Sequence, residues 1–131
     1  MQVASHPLQE DAASSLGWAL DLIRVGLEHS PLSKIHALGL QAGMGSPVLG
    51  PAYLQNLLEP TLRCVEVRIE RHQARGELVG REARLMALQL GAPLLLAVLH
   101  QHALCGDQPR PLDIRALVDA SIAGLGRGPV L

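Results

Sequence analysis

The chain has 131 residues, a length that is typical of one domain and sufficient to bury a hydrophobic core without disulfides or metals. Its formal net charge of −1 indicates no general attraction to nucleic acid or to anionic membranes. Apolar residues make up 48% of the chain and aromatic residues only 2%, so the core has to be built from Leu, Val, Ile and Ala, which favours helices. Two cysteines and the absence of a signal-peptide pattern predict a reducing, cytoplasmic location.

The N-terminal third is predicted to contain two helices. Residues 1–10 are polar, and we expect them to be a flexible lead-in to a single helical domain over residues 11–128. The first helix is predicted from about Asp11, its N-cap, to His29. Ser30 and Pro31 end that helix and begin a short second one, at about residues 31–42.

A glycine-rich segment separates the second helix from the third. Residues 43–50, with three glycines and one proline, are predicted to form a loop. The third helix is predicted from Pro51 to Arg75, with Gly76 as its C-cap. Because Pro60 removes a backbone donor and crowds the preceding turn, we expect a kink near residues 56–60. The alternating arginines and glutamates beyond it are typical of a solvated helix face.

The most apolar stretch of the chain is residues 90–104. It lies in a fourth helix predicted from about Arg81 to Cys105, with a bend at Pro93, and a last helix is predicted at about residues 113–125 with Asp113 as N-cap. Every residue from Ala92 to Leu99 is apolar or proline, so this helix needs cover on all sides. The stretch is shorter than the roughly 18 apolar residues of a membrane span, and no membrane partner is predicted.

The last two helices are expected to be antiparallel neighbours, because a short turn joins them. Left on the surface of a monomer, they would expose a large apolar patch, so pairing with a second copy into a four-helix bundle is the economical arrangement. The alternative is that the first three helices cover them completely. The predicted dimer interface consists of Leu95, Leu99, His102, Leu117, Val118, Ile122 and Leu125.

No catalytic or metal-binding motif is present in the sequence. None of the six histidines pairs with another at i,i+4, so no metal site is predicted, and His72 and His100 are expected on helix faces near solvent. The serine of the glycine-rich loop, Ser46, lacks the context of a phosphate loop or of a hydrolase nucleophile. We therefore predict no enzyme and no cofactor.

Several segments resemble the C-terminal domain of the TetR family of transcriptional regulators. Residues 71–78, R-H-Q-A-R-G-E-L, resemble the helix end R-A-x-x-R-G-E-L of that domain, and residues 90–96, L-G-A-P-L-L-L, resemble its L-x-G-P-L stretch. Pro111-Leu112-Asp113, Leu117-Val118-Asp119 and residues 124–128 resemble its last helix. The Glu59-Pro60 pair within a helix is also similar. The resemblance covers about residues 12–128.

The resemblance implies an all-α bundle of about five helices, two of them kinked, in which the last two helices form the homodimer bundle. It also implies that the earlier helices enclose a pocket for a small, usually apolar effector of a repressor. Nothing before residue 11 could form the family's helix-turn-helix head, so DNA binding by this chain alone is not expected. The predicted pocket residues are Trp18, Leu20, Ile23, His36, Met44, Tyr53, Leu57, Arg63 and Cys64.

Two other interpretations remain open. The chain could be a stand-alone helical dimerisation module that binds no ligand and pairs with a full-length regulator. For each residue named in the pocket, plain core packing is the alternative to ligand contact. A third class, an enzyme, has no constellation of residues to support it.

Overall fold

The computed structural model describes residues 11–126, and in that range the chain is all α-helical, with five helices and no strand. The predicted lead-in, residues 1–10, lies outside this range, as do residues 127–131. Helix α1 spans Ala12–His29 and α2 spans Leu32–Gly43. Helix α3 covers residues 49–74, α4 spans Ala83–Ala103, and α5 spans Ile114–Ala123 before a 3₁₀ turn, Gly124–Gly126.

The helix ends lie where local sequence signals predict them. The side chain of Asp11 accepts a hydrogen bond from the Ser14 amide at 2.8 Å, and that of Asp113 accepts one from the Ala116 amide at 3.3 Å. Both therefore satisfy a backbone donor that the first helical turn leaves without a partner. Gly76 follows α3 with a φ of +86°, a conformation that favours glycine and stops the helix.

Two helices contain an irregular turn. Helix α3 consists of Leu49–Tyr53, a π-helical turn Leu54–Leu58 and Glu59–Ala74, so the irregularity lies where Pro60 predicts a kink. In α4 the α-helix continues through Pro93, and the π-helical turn is Leu99–Ala103. Such turns are a recognised cause of local kinks in helices.

The irregular turn of α4 is tied to the segment that connects α4 with α5. Gln101 is buried there, and its side-chain nitrogen donates to the carbonyl of Arg110 at 2.9 Å. Its side-chain oxygen accepts from the Leu112 amide, also at 2.9 Å. These bonds satisfy backbone polar groups of the connection, which lies outside the helices and so lacks the regular backbone hydrogen bonds of a helix.

The core lies between α1, α3, α4 and α5. Helix α3 packs along α4, while α5 packs against both α1 and α4. The buried apolar residues of this cluster include Leu16, Leu20, Val65, Ile69, Met86, Leu90, Leu94, Val98, Ile114 and Val118. The chain therefore covers one side of its C-terminal hairpin, which consists of α4 and α5, but Leu96 of α4 remains 66% exposed. The first three helices do not cover the hairpin completely.

Two charged or polar residues expected on a solvated face are buried instead. Arg68 is only 2% exposed, because its Nε donates to the hydroxyl of buried Ser15 at 2.7 Å. His72 is 0% exposed, with its Nδ1 3.3 Å from a carboxylate oxygen of Glu77. The prediction that His72 lies near solvent is therefore wrong, whereas His100 is exposed as expected. Other charges of the run form half-buried pairs at the surface, such as Arg84 with Glu59 at 2.7 and 2.8 Å.

Within residues 11–126, one helix is long and apolar enough to cross a membrane by length and composition. This is α4, whose 21 residues extend the apolar stretch of residues 90–104 toward the N-terminus. The prediction that the apolar stretch is too short for a membrane span considered residues 90–104 and not the residues of α4 before them. Core helices of globular domains can meet the same two criteria, and α4 contributes Met86, Leu90, Leu94 and Val98 to the core, while 39% of its most apolar window is buried.

Candidate functional site

An apolar cavity of about 150 Å³ lies between α1, α2, α3 and α4. An engineered cavity of roughly this volume in another protein, lined by aliphatic and aromatic residues, stays dry and binds benzene. The present cavity therefore has the size of a single six-membered ring. Its wall consists of Leu20, Ile23, Leu27, His36, Leu58, Thr61, Leu62, Val65, Leu88, Gly91, Ala92, Leu94 and Leu95.

Helix α4 has no side chain at the point of the cavity wall where it approaches α3. Gly91 lies in the wall, and a Cβ built on it would lie 3.1 Å from Cδ2 of Leu62. The helices thus approach closely at that point, while the leucines around it do not fill the space on either side. Two wall residues of α4, Leu88 and Ala92, are exposed, so the cavity opens to solvent along α4.

The polar side chains of the wall are His36 and Thr61. The hydroxyl of Thr61 donates to the carbonyl of Leu57 at 2.9 Å, within its own helix. His36 is 2% exposed, and its Nδ1 lies 2.8 Å from the hydroxyl of Tyr53, with the two rings edge to face at 5.8 Å. Burial lowers the pKa of His36 below its ordinary value near 6.5, so the imidazole is neutral at pH 7.

The structure brings some of the predicted pocket residues to the cavity. Leu20, Ile23 and His36 lie in its wall. Tyr53 is not part of the wall, but its hydroxyl is hydrogen-bonded to His36. Leu57 precedes a wall residue in α3 but faces a surface groove between α2 and α3. Met44 lies in the loop between those helices and is 74% exposed.

The other predicted pocket residues lie away from the cavity. The ring of Trp18 stacks under the guanidinium of Arg68, 4.9 Å from the ring centroid. Arg63 is exposed and pairs with Glu66 at 3.0 Å and with Glu70 at 2.9 Å. Cys64 is buried against Ala19 in a small separate cluster. Burial raises the pKa of the Cys64 thiol, which keeps it in the unreactive protonated form.

Sequence reasoning missed most of the wall that α3 and α4 contribute. Leu58, Leu62 and Val65 follow helical spacing, so they could not be told from ordinary core residues. Gly91 carries the one available signal. A glycine inside an otherwise apolar helix can leave a gap where the neighbouring helix packs against it. The sequence does not show which residues of the two helices lie opposite each other.

The predicted interface residues do not form one free surface. Val118 is buried in the chain's own core, and Leu117, Ile122 and Leu125 pack partly against it. Leu99 is partly buried, Leu95 lies in the cavity wall, and His102 Nε2 lies 3.1 Å from Glu28. The exposed apolar residues of the hairpin are instead Leu85, Leu88, Leu96, Leu104 and Leu112.

We call the surface formed by Leu85, Leu88, Leu96 and Leu112 the hairpin face. A shallow groove of about 540 Å³ lies on it, between α4 and the segment that leads into α5. Its floor includes Pro93, Leu96 and Leu112. Apolar surface therefore remains uncovered on the hairpin, but it lies on α4 and on the α4–α5 connection rather than on the α5 residues that the sequence pattern indicated.

Two further observations bear on the site. Residues 11–126 contain no group of three His, Cys, Asp or Glu side chains that could hold a metal ion. No family model, no curated protein and no solved structure matches the chain. The resemblance to TetR-type regulators thus rests on the sequence segments quoted above.

Proposed function

We propose that the chain is the effector-binding and homodimerisation domain of a TetR-type transcriptional repressor and that it binds an apolar small molecule among its helices. The cavity between α1, α2, α3 and α4 carries this proposal. Its wall is apolar, with one buried neutral histidine, which is the usual make-up of a small-molecule site. A helix-turn-helix head joined to the domain would bind the DNA, and effector-driven shifts of the helices would move that head.

Energetics support a bound molecule. At about 24 cal/mol per Å³, a closed void of this volume would cost the fold about 3–4 kcal/mol relative to a filled core, which is an upper limit here because the cavity opens to solvent along α4. A ligand of matching shape restores the missing contacts without having to open the site. Because the wall is already formed, little of the binding energy is spent on ordering it.

The hairpin face supports the dimer. Fully burying a leucine side chain is worth about 1.5–3 kcal/mol, and a two-fold pairing would bury the same leucines on both copies. Exposed Ala116 and Ala120 of α5 would let a second helix approach closely. The proposed dimer therefore centres on Leu96, rather than on the buried Val118.

The ligand half of the proposal is tested by calorimetry and thermal melting with benzene, toluene and naphthalene. We expect one-ring probes to raise the melting temperature, since a ligand at 100 times its Kd adds about 2.7 kcal/mol to the free energy of unfolding. Naphthalene should bind more weakly, because the cavity holds one ring. If no one-ring probe binds, the effector proposal fails.

The dimer half is tested by sedimentation velocity at micromolar concentration. We expect the wild-type chain to sediment as a dimer and Leu96→Glu as a monomer. Val79→Glu is the matched control, because Val79 is exposed but lies in the turn between α3 and α4. A monomeric wild-type chain would contradict the proposal, and a dimer that binds no probe would favour the ligand-free dimerisation module.

A further inference from the structure

The outward-facing apolar residues of α4 form one stripe, which we call the α4 stripe. It consists of Leu85, Leu88, Ala92 and Leu96, which are exposed, and Leu99, which is partly buried. Successive members are three or four residues apart, so all five lie on the same side of the helix. Leu88 and Ala92 also line the cavity. The mouth of the cavity therefore lies within the α4 stripe.

The order of residues in the α4 stripe is symmetric about Ala92. Leucines lie four and seven residues away from it in both directions: Leu88 and Leu85 toward the N-terminus, Leu96 and Leu99 toward the C-terminus. An antiparallel pair of identical helices requires this symmetry, because each residue then faces its counterpart across a two-fold axis. The small side chain at the centre would let two such helices approach closely. A surface that binds a different protein has no need of such symmetry.

The charge of α4 also favours an identical partner. Residues 85–106 contain no Lys, Arg, Asp or Glu, so the α4 stripe offers nothing that a charged partner could recognise. Two neutral stripes, by contrast, can bury their leucines against each other without removing a charge from water. The occupant that fits the α4 stripe is therefore a second copy of the chain.

We propose that this second copy closes the cavity. Helix α4 pairs antiparallel with α4 of the second copy about a two-fold axis at Ala92, so that Leu96 of the second copy lies over Leu88 at the mouth. Each cavity then has one side that only the dimer supplies. The inference rests on the proposed function, because it joins the proposed ligand site to the proposed dimer.

The make-up of the cavity wall explains why the cover matters. The wall is aliphatic except for His36 and Thr61, so an apolar ligand is held there mainly by its removal from water. A ligand that still touches water at the mouth loses part of this gain, and a leucine across the mouth restores it. Ligand binding and dimerisation should therefore strengthen each other, and by linkage the effect on the two affinities is reciprocal.

Cysteine cross-linking tests the register of the pair. The chain carries Cys105→Ser, because Cys105 is exposed and could itself cross-link, whereas Cys64 is buried. We expect Ala92→Cys to form a disulfide-linked dimer on mild oxidation, since the two copies of residue 92 meet at the axis. Leu85→Cys is the matched control: its two copies would lie about 21 Å apart along the helices, and a disulfide needs Cα atoms within about 7 Å.

A mixed pair tests the same register without changing Ala92. Leu88→Cys and Leu96→Cys should each fail to cross-link alone, because the two copies of either residue would lie about 12 Å apart along the helices. A mixture of the two variants should give the disulfide-linked heterodimer. Cross-linking of Leu85→Cys, or none from Ala92→Cys and the mixture, would overturn the arrangement.

Calorimetric titration with benzene tests the closure of the cavity. Leu96 lies outside the cavity wall, so Leu96→Glu leaves the wall intact and removes the cover. We expect this variant to bind benzene about 5- to 150-fold more weakly than the wild-type dimer, the usual range for coupled sites. Val79→Glu should bind benzene as the wild type does. In the wild-type chain, saturating benzene should also lower the dimer dissociation constant measured by sedimentation.

The outcomes separate this inference from the proposed function. If the chain dimerises and binds benzene, but neither affinity depends on the other, the closure of the cavity is wrong and the proposed function stands. If benzene does not bind at all, the ligand-binding function fails. A monomeric chain that binds phosphatidylcholine vesicles would mean that a membrane covers the α4 stripe, and would overturn both the dimer and the closure.

Discussion

Adding one methyl group at Gly91 should stabilise the fold and weaken ligand binding. Alanine is favoured over glycine inside a helix by about 0.5–1 kcal/mol. The new Cβ would lie 3.1 Å from Cδ2 of Leu62, so that leucine must move by a few tenths of an ångström. It can do so because Leu62 borders the cavity and has empty space beside it.

The two effects of Gly91→Ala have separate magnitudes. We expect the free energy of unfolding to rise by about 0.5–1 kcal/mol, which corresponds to a gain of roughly 2–6 °C in melting temperature for a chain of this length. A ring that already fills the cavity would be overpacked by one methyl group, at a cost of about 1–3 kcal/mol. Benzene should therefore bind roughly 5- to 150-fold more weakly.

Urea denaturation measures the first effect and calorimetric titration with benzene the second. Gly17→Ala is the matched control, because Gly17 also lies inside a helix but its Cβ would make an ordinary contact, 3.7 Å from Cγ1 of Ile122. It should stabilise the fold by a similar amount and leave benzene binding unchanged. The reasoning is refuted if Gly91→Ala destabilises while Gly17→Ala stabilises, or if Gly91→Ala binds benzene as tightly as the wild type.

Three further predictions test the buried polar groups and a cap. Ser15→Ala removes the acceptor of buried Arg68 Nε and should lower the free energy of unfolding by about 1–3 kcal/mol in urea; no change would mean that another group replaces it. Burial lowers the pKa of His36 in the folded state, so the unfolded chain binds the proton first as the pH falls. The fold therefore keeps its full stability above the unfolded-state pKa of His36 and loses stability as the pH drops below that pKa. Thermal melts should show a smaller loss between pH 7.5 and 5.5 in His36→Gln, and an identical loss would contradict this assignment. Asp113→Ala should cost about 0.5–2 kcal/mol in urea through the lost bond to the Ala116 amide, whereas Asp113→Asn should retain most of the stability.

The helices could be predicted because their ends depend on local chemistry. A carboxylate at Asp11 or Asp113 can reach only the amides of the next turn, so sequence spacing is enough to identify the caps. The same holds for Gly76, where the chain must adopt a positive φ. These signals do not depend on the packing of other helices.

Burial of polar residues could not be predicted in this way. Arg68 lies in a run of alternating charges, but its partner Ser15 is 53 residues away in sequence. Which side of α4 and α5 the chain covers is likewise decided by packing against α1 and α3, so the helical period alone placed Val118 at an interface rather than in the core. The turn at Leu99–Ala103 depends on bonds from Gln101 to the α4–α5 connection, which the composition of α4 does not reveal.

The cavity follows from how this chain uses its two aromatic residues. Trp18 stacks with Arg68 and Tyr53 bonds to His36, so neither belongs to the main core cluster. The space between α3 and α4 is lined mainly by aliphatic side chains, and these do not fill it beside Gly91. A bound ring would supply the flat, bulky group that the sequence places elsewhere. Under the proposed function, the void is a site for a ring rather than a packing defect that another leucine would repair.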